Sequence, residues 1–277
     1  MTPHPNIFNR AEMLLGMEAM EQLARARVII FGVGGVGSWC AESLVRTGIG
    51  HLTIVDSDRV APSNVNRQAM ATTATIGQVK VEALRQRLLE INPEADIRAI
   101  QGIYSNDSSS EFKLESYDYI VDAIDSLQHK ATLILNATSL PRHTGFVSSM
   151  GAALKLDPTK IAVSEFWQVK GCPLARALRT RFKRDKTFPK RKFFTVYSPE
   201  IVQNQTASTP SECNAQAEDN KNLDTWTSKK AQVNGSLAHI TAIFGFTMAG
   251  LVIKDLCYKK KEVLDLAIQE KDVPLQQ

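Results

Sequence analysis

Residues 27–31 (RVIIF) form an apolar run that stops at a glycine turn, Gly32-Val-Gly34-Gly35-Val-Gly37. A helical stretch follows from Ser38 to Thr47 and ends at Gly48. A second apolar run, HLTIV at 51–55, carries Asp56 at its end. Strand, tight turn, helix and acid-ended strand together predict a nucleotide site. Glycines let the backbone approach a ligand closely, and the N–H groups at a helix N-terminus hold phosphate. An acid about 20 residues beyond such a turn is placed to grip a ribose hydroxyl. The competing reading is that the glycines serve only helix–sheet packing.

The alternation continues. Residues 76–91 (IGQVKVEALRQRLLEI) have helical spacing and stop at Asn92-Pro93. Strands are predicted at 96–100, 117–121 and 143–148, with a helix at about 127–138. Asp122 and Asp125 follow the strand at 117–121. Strands alternating with helices predict an α/β fold, a doubly wound and mostly parallel sheet, Rossmann-like over residues 8–150. Residues 151–256 read as a smaller, irregular half. It has a helix at 171–183, a polar aperiodic stretch at 184–234 with one strand-like island (193–198, FFTVYS), and an apolar helix at 235–256. Residues 257–277 read as a charged tail, and the whole chain as one domain.

Bulk properties exclude several classes. A chain of 277 residues, 43% apolar and 22% charged, is composed like an ordinary soluble globular protein. A net charge of +4 is too small to indicate a nucleic-acid partner. The four cysteines, Cys40, Cys172, Cys213 and Cys257, are widely spaced with no CxxC pair, which argues against a structural zinc site. The N-terminus has no basic segment leading into an apolar run, so a cytoplasmic setting with free thiols is the expectation. The apolar stretch Leu237–Ile253 is short for a membrane span and contains His239, Gly245 and Gly250. A core or subunit-interface helix is the favoured reading, with membrane association as the alternative.

A dinucleotide would explain the glycine turn but not what comes after it. Asp58 is followed by Ser63-Asn64-Val65-Asn66-Arg67-Gln68, then by Gly77-Gln78-Val79-Lys80 at a helix start. Two cations, Arg67 and Lys80, and two carboxamides thus converge on one sheet edge. A triphosphate needs such a field and a dinucleotide pyrophosphate does not.

In order and spacing, GVGGVGS, TGIGHLTIVDSD, SNVNRQ, GQVKVEA, INPE and VDAIDS resemble the successive signatures of the ubiquitin-activating-type adenylyltransferases. That family includes the bacterial activators of sulfur-carrier proteins. The RTGIG and ITAIFGF stretches and the missing zinc cysteines are most similar to its tRNA threonylcarbamoyladenosine dehydratase group. The resemblance implies a homodimer using ATP and Mg²⁺. The carboxylate of a modified adenosine beside the tRNA anticodon would be activated as an acyl-adenylate, and ring closure would follow with net loss of water. The alternative is activation of the C-terminus of a ubiquitin-like sulfur carrier, and a sulfur-relay protein partner stays open.

By the same resemblance, Gly32, Gly34, Gly35 and Gly37 would line the phosphates and adenosine, and Asp56 would hold the ribose. Asn64, Arg67, Lys80 and Gln68 would contact the phosphates, with Asp58 supporting them. Asp125 would handle Mg²⁺ and the reacting phosphate. Arg10 would reach the γ-phosphate in the partner subunit. Each residue also has a plainer reading: Arg10 as a surface cation, Asp56 and Asp58 as turn residues, Lys80 as a solvated helix residue, Asn64 as an Asx-turn, and Asp125 as a helix N-cap. The chain departs from the family pattern at Val79, in its missing CxxC pairs, and in having no cysteine between Cys213 and Cys257. A cysteine-dependent step is therefore in doubt.

Far downstream, Arg176, Arg179, Arg181, Lys183, Arg184, Lys186, Lys190, Arg191 and Lys192 accumulate against the single acid Asp185. Phe182, Phe188, Phe193 and Phe194 are interleaved. Arg176, Arg179, Lys183, Arg184, Lys190 and Arg191 are the candidate contacts to an RNA backbone, with stacking by the aromatics. The alternative is a solvated charged face.

Overall fold

A computed structural model describes residues 7–206 and 234–271, with side chains described to Tyr258. Helices α1 (Asn9–Leu15) and α2 (Met17–Arg25) precede the nucleotide-binding half. There follow β1 (Arg27–Phe31), α3 (Gly37–Arg46), β2 (His51–Val55), α4 (Lys80–Ile91) and β3 (Asp96–Ile100). Then come β4 (Tyr119–Asp122), α5 (Leu127–Ser139), β5 (Gly145–Ser149), β6 (Ala162–Glu165), α6 (Pro173–Arg184), β7 (Phe194–Tyr197) and α7 (Ala238–Lys271).

Among the described residues seven strands form one sheet in the order β3-β2-β1-β4-β5-β7-β6. Every neighbouring pair is parallel except β6–β7. The order reverses between β1 and β4, which opens a crevice at their carboxyl ends, where doubly wound sheets take ligands. β1 carries Val28 and Ile30 into one core and Ile29 and Phe31 into the other, as a strand buried on both faces must. The first core is closed by α2, α3, α4 and α7, the second by α5 and α6.

Several predicted boundaries move, each for a physical reason. The helix predicted over 76–91 starts only at Lys80. Gly77 takes φ +85°, and Arg59 pairs with Val79 in an antiparallel bridge, so the preceding turn is extended rather than helical. The strand predicted at 117–121 starts at Tyr119, because the Tyr117 N–H closes a 3-10 turn over Leu114–Ser116 by donating to Leu114 O at 3.3 Å. The island at 193–198 is β7, an interior strand between β5 and β6. The helix backbone of α7 runs on through much of the predicted tail, to Lys271.

α7 has the length and apolarity of a membrane span over Ala238–Tyr258. Here it is a core helix. Ile240, Phe244, Met248 and Val252 are fully buried along one side. Gly245 lets it press on α3, since a Cβ there would meet Val36 O at 2.5 Å and Cys40 N at 2.8 Å. Trp39 and Phe246 extend that contact edge to face, with ring centroids 5.9 Å apart.

Candidate active site

The glycine turn joins β1 to α3 at the switch point. Gly32 takes φ +85°, and a Cβ there would meet Ala123 O at 2.7 Å. A Cβ on Gly37 would collide with the Gly32 carbonyl. These two positions exclude larger residues because the turn is pressed against the segment after β4. Gly35 packs on Thr241 of α7, 3.0 Å from its Cβ position, so its demand is packing rather than ligand approach. Gly34 is open, with only the Gln68 side-chain nitrogen near, at 3.9 Å.

Asp56 is built into this turn. Its Oδ2 accepts the Val33 N–H at 2.8 Å and its Oδ1 accepts the Asp58 N–H at 2.9 Å. Burial pushes its carboxyl above the ordinary range. The Lys80 charge and the two backbone donors pull the other way. Lys80, buried at the start of α4, donates to Asp58 Oδ2 at 2.7 Å and lies 4.0 Å from Asp56 Oδ1. A buried ammonium needs such partners, so the solvated-helix reading of Lys80 is set aside.

Arg67 donates to Ser63 O at 2.7 Å and to Asn66 Oδ1 at 2.9 Å. Burial lowers its pKa, and the negative charge of Asp125 opposes that shift, so the two are electrostatic neighbours. Asn66 also donates to Ser236 O at 2.9 Å, and Trp39 donates to Arg67 O at 3.0 Å. The segment leading into α7 is thereby tied to the site. Asn64 Oδ1 accepts the Ala61 N–H at 3.0 Å, so that atom serves the local turn. Gln68 is 6% exposed, and among the described residues its Oε1 has no hydrogen-bond partner. A buried acceptor left over beside an open glycine is what a nucleotide-binding turn leaves for its ligand.

Asp125 is exposed in the turn between β4 and α5. That turn is held from beneath by a network that the motifs do not announce. Asp122 Oδ2 lies 2.8 Å from Lys130 Nζ, both side chains being fully buried. Ser148 Oγ donates to the same oxygen at 2.7 Å. The signal was an aspartate closing an apolar strand with a lysine eight positions later on the inner face of α5.

Arg10 is not brought to the glycine turn of its own chain. It is exposed on α1, and neighbouring Phe8 packs near Gly48, past the C-terminal end of α3 and so at the opposite edge of the sheet. The basic stretch divides into two groups. Arg191 donates to Thr144 O at 2.6 Å and, more weakly, to Ala137 O and Pro141 O. Arg179 donates to Phe166 O and Val169 O at 3.0 and 2.9 Å, with its guanidinium over the Phe166 ring. These two arginines clamp the fold. Arg176, Lys183, Arg184 and Lys190 are exposed, as are Lys186 and Lys192. Phe182 and Phe193 are core residues, whereas Phe188 is half exposed and lies beside Trp167, ring centroids 6.2 Å apart.

Fold and site define a doubly wound α/β protein with a nucleotide turn and a cationic rim. The chain belongs to the ThiF family, which matches residues 8–272. The tRNA threonylcarbamoyladenosine dehydratase of Escherichia coli (strain K12) is 34% identical over 258 residues, 91% of this chain and 94% of that protein. The Bacillus subtilis (strain 168) protein of the same name is 38% identical over 178 residues, covering 64% and 69% respectively. The crystal structure of the E. coli dehydratase in complex with ATP is similar at a TM-score of 0.75 and 30% identity, covering 92% of this chain and 95% of that one.

Proposed function

We propose that this protein is an ATP-dependent tRNA threonylcarbamoyladenosine dehydratase. The observation that carries the reading is the near full-length correspondence with the E. coli enzyme of that name, over 91% of this chain. The chemistry of the site supports it. Attack of the threonyl carboxylate on the α-phosphorus of ATP forms the mixed anhydride and expels pyrophosphate. The carbamoyl group then closes the ring and AMP leaves, so the net change is loss of water from the nucleoside. Arg67 and Lys80 would offset the charge of the leaving pyrophosphate, since preorganised cations act most strongly on charge that develops in the transition state. The open Gly34 and Asp56 fit the nucleoside half of ATP, and Gln68 Oε1, without a partner among the described residues, is left for the ligand beside them. Mg²⁺, a hard cation that takes oxygen ligands, would be held by Asp125 together with phosphate oxygens.

A homodimer fits the N-terminal surface. Met13 and Leu14 are more than 80% exposed on α1, and Met17 is 67% exposed at the start of α2. Exposed apolar clusters of this kind mark interaction sites. In such a dimer Arg10, exposed on α1, would be free to serve the partner's site, the role the family resemblance gives it. A sulfur-relay partner would have to address Cys213, which lies outside the described residues, because Cys40, Cys172 and Cys257 are all buried.

The exposed cations of α6 form the surface we assign to tRNA. Leu174, Ala175, Leu178 and Phe182 face the core, while Arg176, Lys183 and Arg184 share the solvent side. Gly171, just before α6, packs on Pro199 beyond the carboxyl end of β7, and α6 ends before β7 begins. A basic track about 18 Å long thus descends from the carboxyl edge of the sheet. The Trp167–Phe188 pair beside its lower end suits stacking of an unpaired base. Replacing Arg176, Lys183 and Lys190 by glutamine is expected to weaken tRNA binding. The salt dependence should flatten by about 0.7–0.9 in log–log slope for each phosphate that is no longer neutralised. Arg191→Gln should instead lower stability by about 1–3 kcal/mol, because its carbonyl acceptors lose a buried donor. Filter binding at several salt concentrations, paired with urea unfolding, checks both; an unchanged slope in the triple variant would leave the helix a solvated face.

Activation of a ubiquitin-like sulfur carrier is the second reading. The chain lacks the CxxC pairs that mark those activators, and a phosphate-tracking helix has no use in gripping a protein tail.

A further inference from the structure

We infer that the buried Asp122–Lys130 pair positions Asp125, making Asp122 and Lys130 positioning residues for adenylation; the inference rests on the function proposed above. Asp122 Oδ1 accepts the Ile124 N–H at 3.0 Å. Lys130 Nζ donates to the Ile124 carbonyl at 2.9 Å. The residue just before Asp125 is therefore gripped at both its backbone N–H and its carbonyl by two side chains that also pair with each other at 2.8 Å. Ser148 Oγ on β5 occupies the Asp122 Oδ2 atom from the other side. The carboxylate can neither rotate away nor release the turn.

The same turn touches the nucleotide loop. The Ala123 carbonyl lies against Gly32, and Ala123 Cβ lies 3.2 Å from where a Cβ on Gly37 would be. The clamp thus sets the distance between the loop that takes phosphate and the carboxylate that serves the reacting phosphate. Stability alone is a poor reason for such a pair. Both side chains are 0% exposed, and a fully buried ion pair replaced by neutral groups of similar volume is often neutral or stabilising. Misplacing a reacting group by about 1 Å can cost a hundredfold in rate.

The test is the charge-free double variant Asp122→Asn/Lys130→Met. Asparagine keeps an acceptor for the Ile124 N–H, while methionine removes the donor to the Ile124 carbonyl. The single Lys130→Met variant leaves Asp122 charged and unpaired, and should lose much of its stability. The double variant is expected to melt within about 3 °C of the parent and to keep its KM for ATP within about threefold. Its kcat for tRNA-dependent pyrophosphate release should fall by at least about tenfold. Amide exchange at residues 123–125 should accelerate while Ile120 and Val121 stay protected. A stable double variant with parental kcat would overturn the assignment, and so would unchanged exchange at 123–125. A double variant that fails to fold would also overturn it, by making the pair structural. If the parent itself releases no pyrophosphate, the adenylation reading falls, and the exchange measurement still decides whether the clamp holds the turn.

Discussion

Asp125→Ala is expected to lower tRNA-dependent pyrophosphate release by about a hundredfold to a thousandfold while leaving the fold intact. The size follows from the loss of one preorganised group acting on developing charge. The fold should survive because Asp125 is exposed and its turn is held by Asp122, Lys130 and Ser148. Binding of ATP should survive too. Removing a carboxylate from beside Arg67 removes repulsion toward the phosphates, and Arg67 keeps its anchors at Ser63 O and Asn66 Oδ1. The expected signature is therefore a fall in kcat far larger than any change in the KM for ATP, which loses one Mg²⁺ ligand but keeps Arg67 and Lys80. Turnover within about threefold of the parent would refute the role assigned to Asp125.

Lys80→Met carries the second large effect, a loss of about a hundredfold in kcat/KM for ATP, and it comes with a pH signature. Burial raises the Asp56 carboxyl, and the Lys80 charge is the chief influence holding it down. The ribose contact uses the ionised form, so the KM for ATP should climb as pH falls through the Asp56 pKa. Without Lys80 that pKa rises further, and the limb moves to higher pH. The stability effect has the same origin. A carboxyl with a raised folded-state pKa favours folding while protonated, below its unfolded value of about 3.9, and loses that contribution as pH rises through the folded value. The stability deficit of Lys80→Met should therefore be larger at pH 8 than at pH 5. An ATP profile that keeps the parental limb would mean Lys80 does not govern Asp56.

The nucleotide-binding half was legible because its signals are local. β1, β2 and β3 are short apolar runs bounded by glycine or an acid, and the turn between β1 and α3 needs glycine for reasons visible in sequence. Arg67, Lys80 and Asp125 could be singled out as candidates through their place in successive motifs. What the sequence concealed is tertiary. α1 exposes Met13 and Leu14, and α2 buries only Ala19 and Leu23, so the N-terminal helices have too narrow an apolar face to announce themselves. β6 is a four-residue antiparallel edge strand whose side chains are only partly covered, and it reads as loop. Gly77 shortened α4 because a left-handed backbone there favours the bridge to Arg59 over another helical turn. Arg179 and Arg191 resemble their basic neighbours in composition. Only the fold shows that they serve main-chain carbonyls, that Arg181 is half-buried beside Asp185, and that the others face solvent. Lys130 was hidden for the same reason, since its partner Asp122 becomes a partner only when α5 packs back on β4.

The central claim is that this site activates a carboxylate carried by tRNA. Its most direct measurement is pyrophosphate release from ATP and Mg²⁺, with threonylcarbamoyladenosine-containing tRNA in one arm and a ubiquitin-like sulfur carrier in the other. The account predicts release driven by the tRNA, in step with loss of water from the modified nucleoside, and none above background with the carrier. Release driven by the carrier alone would contradict it.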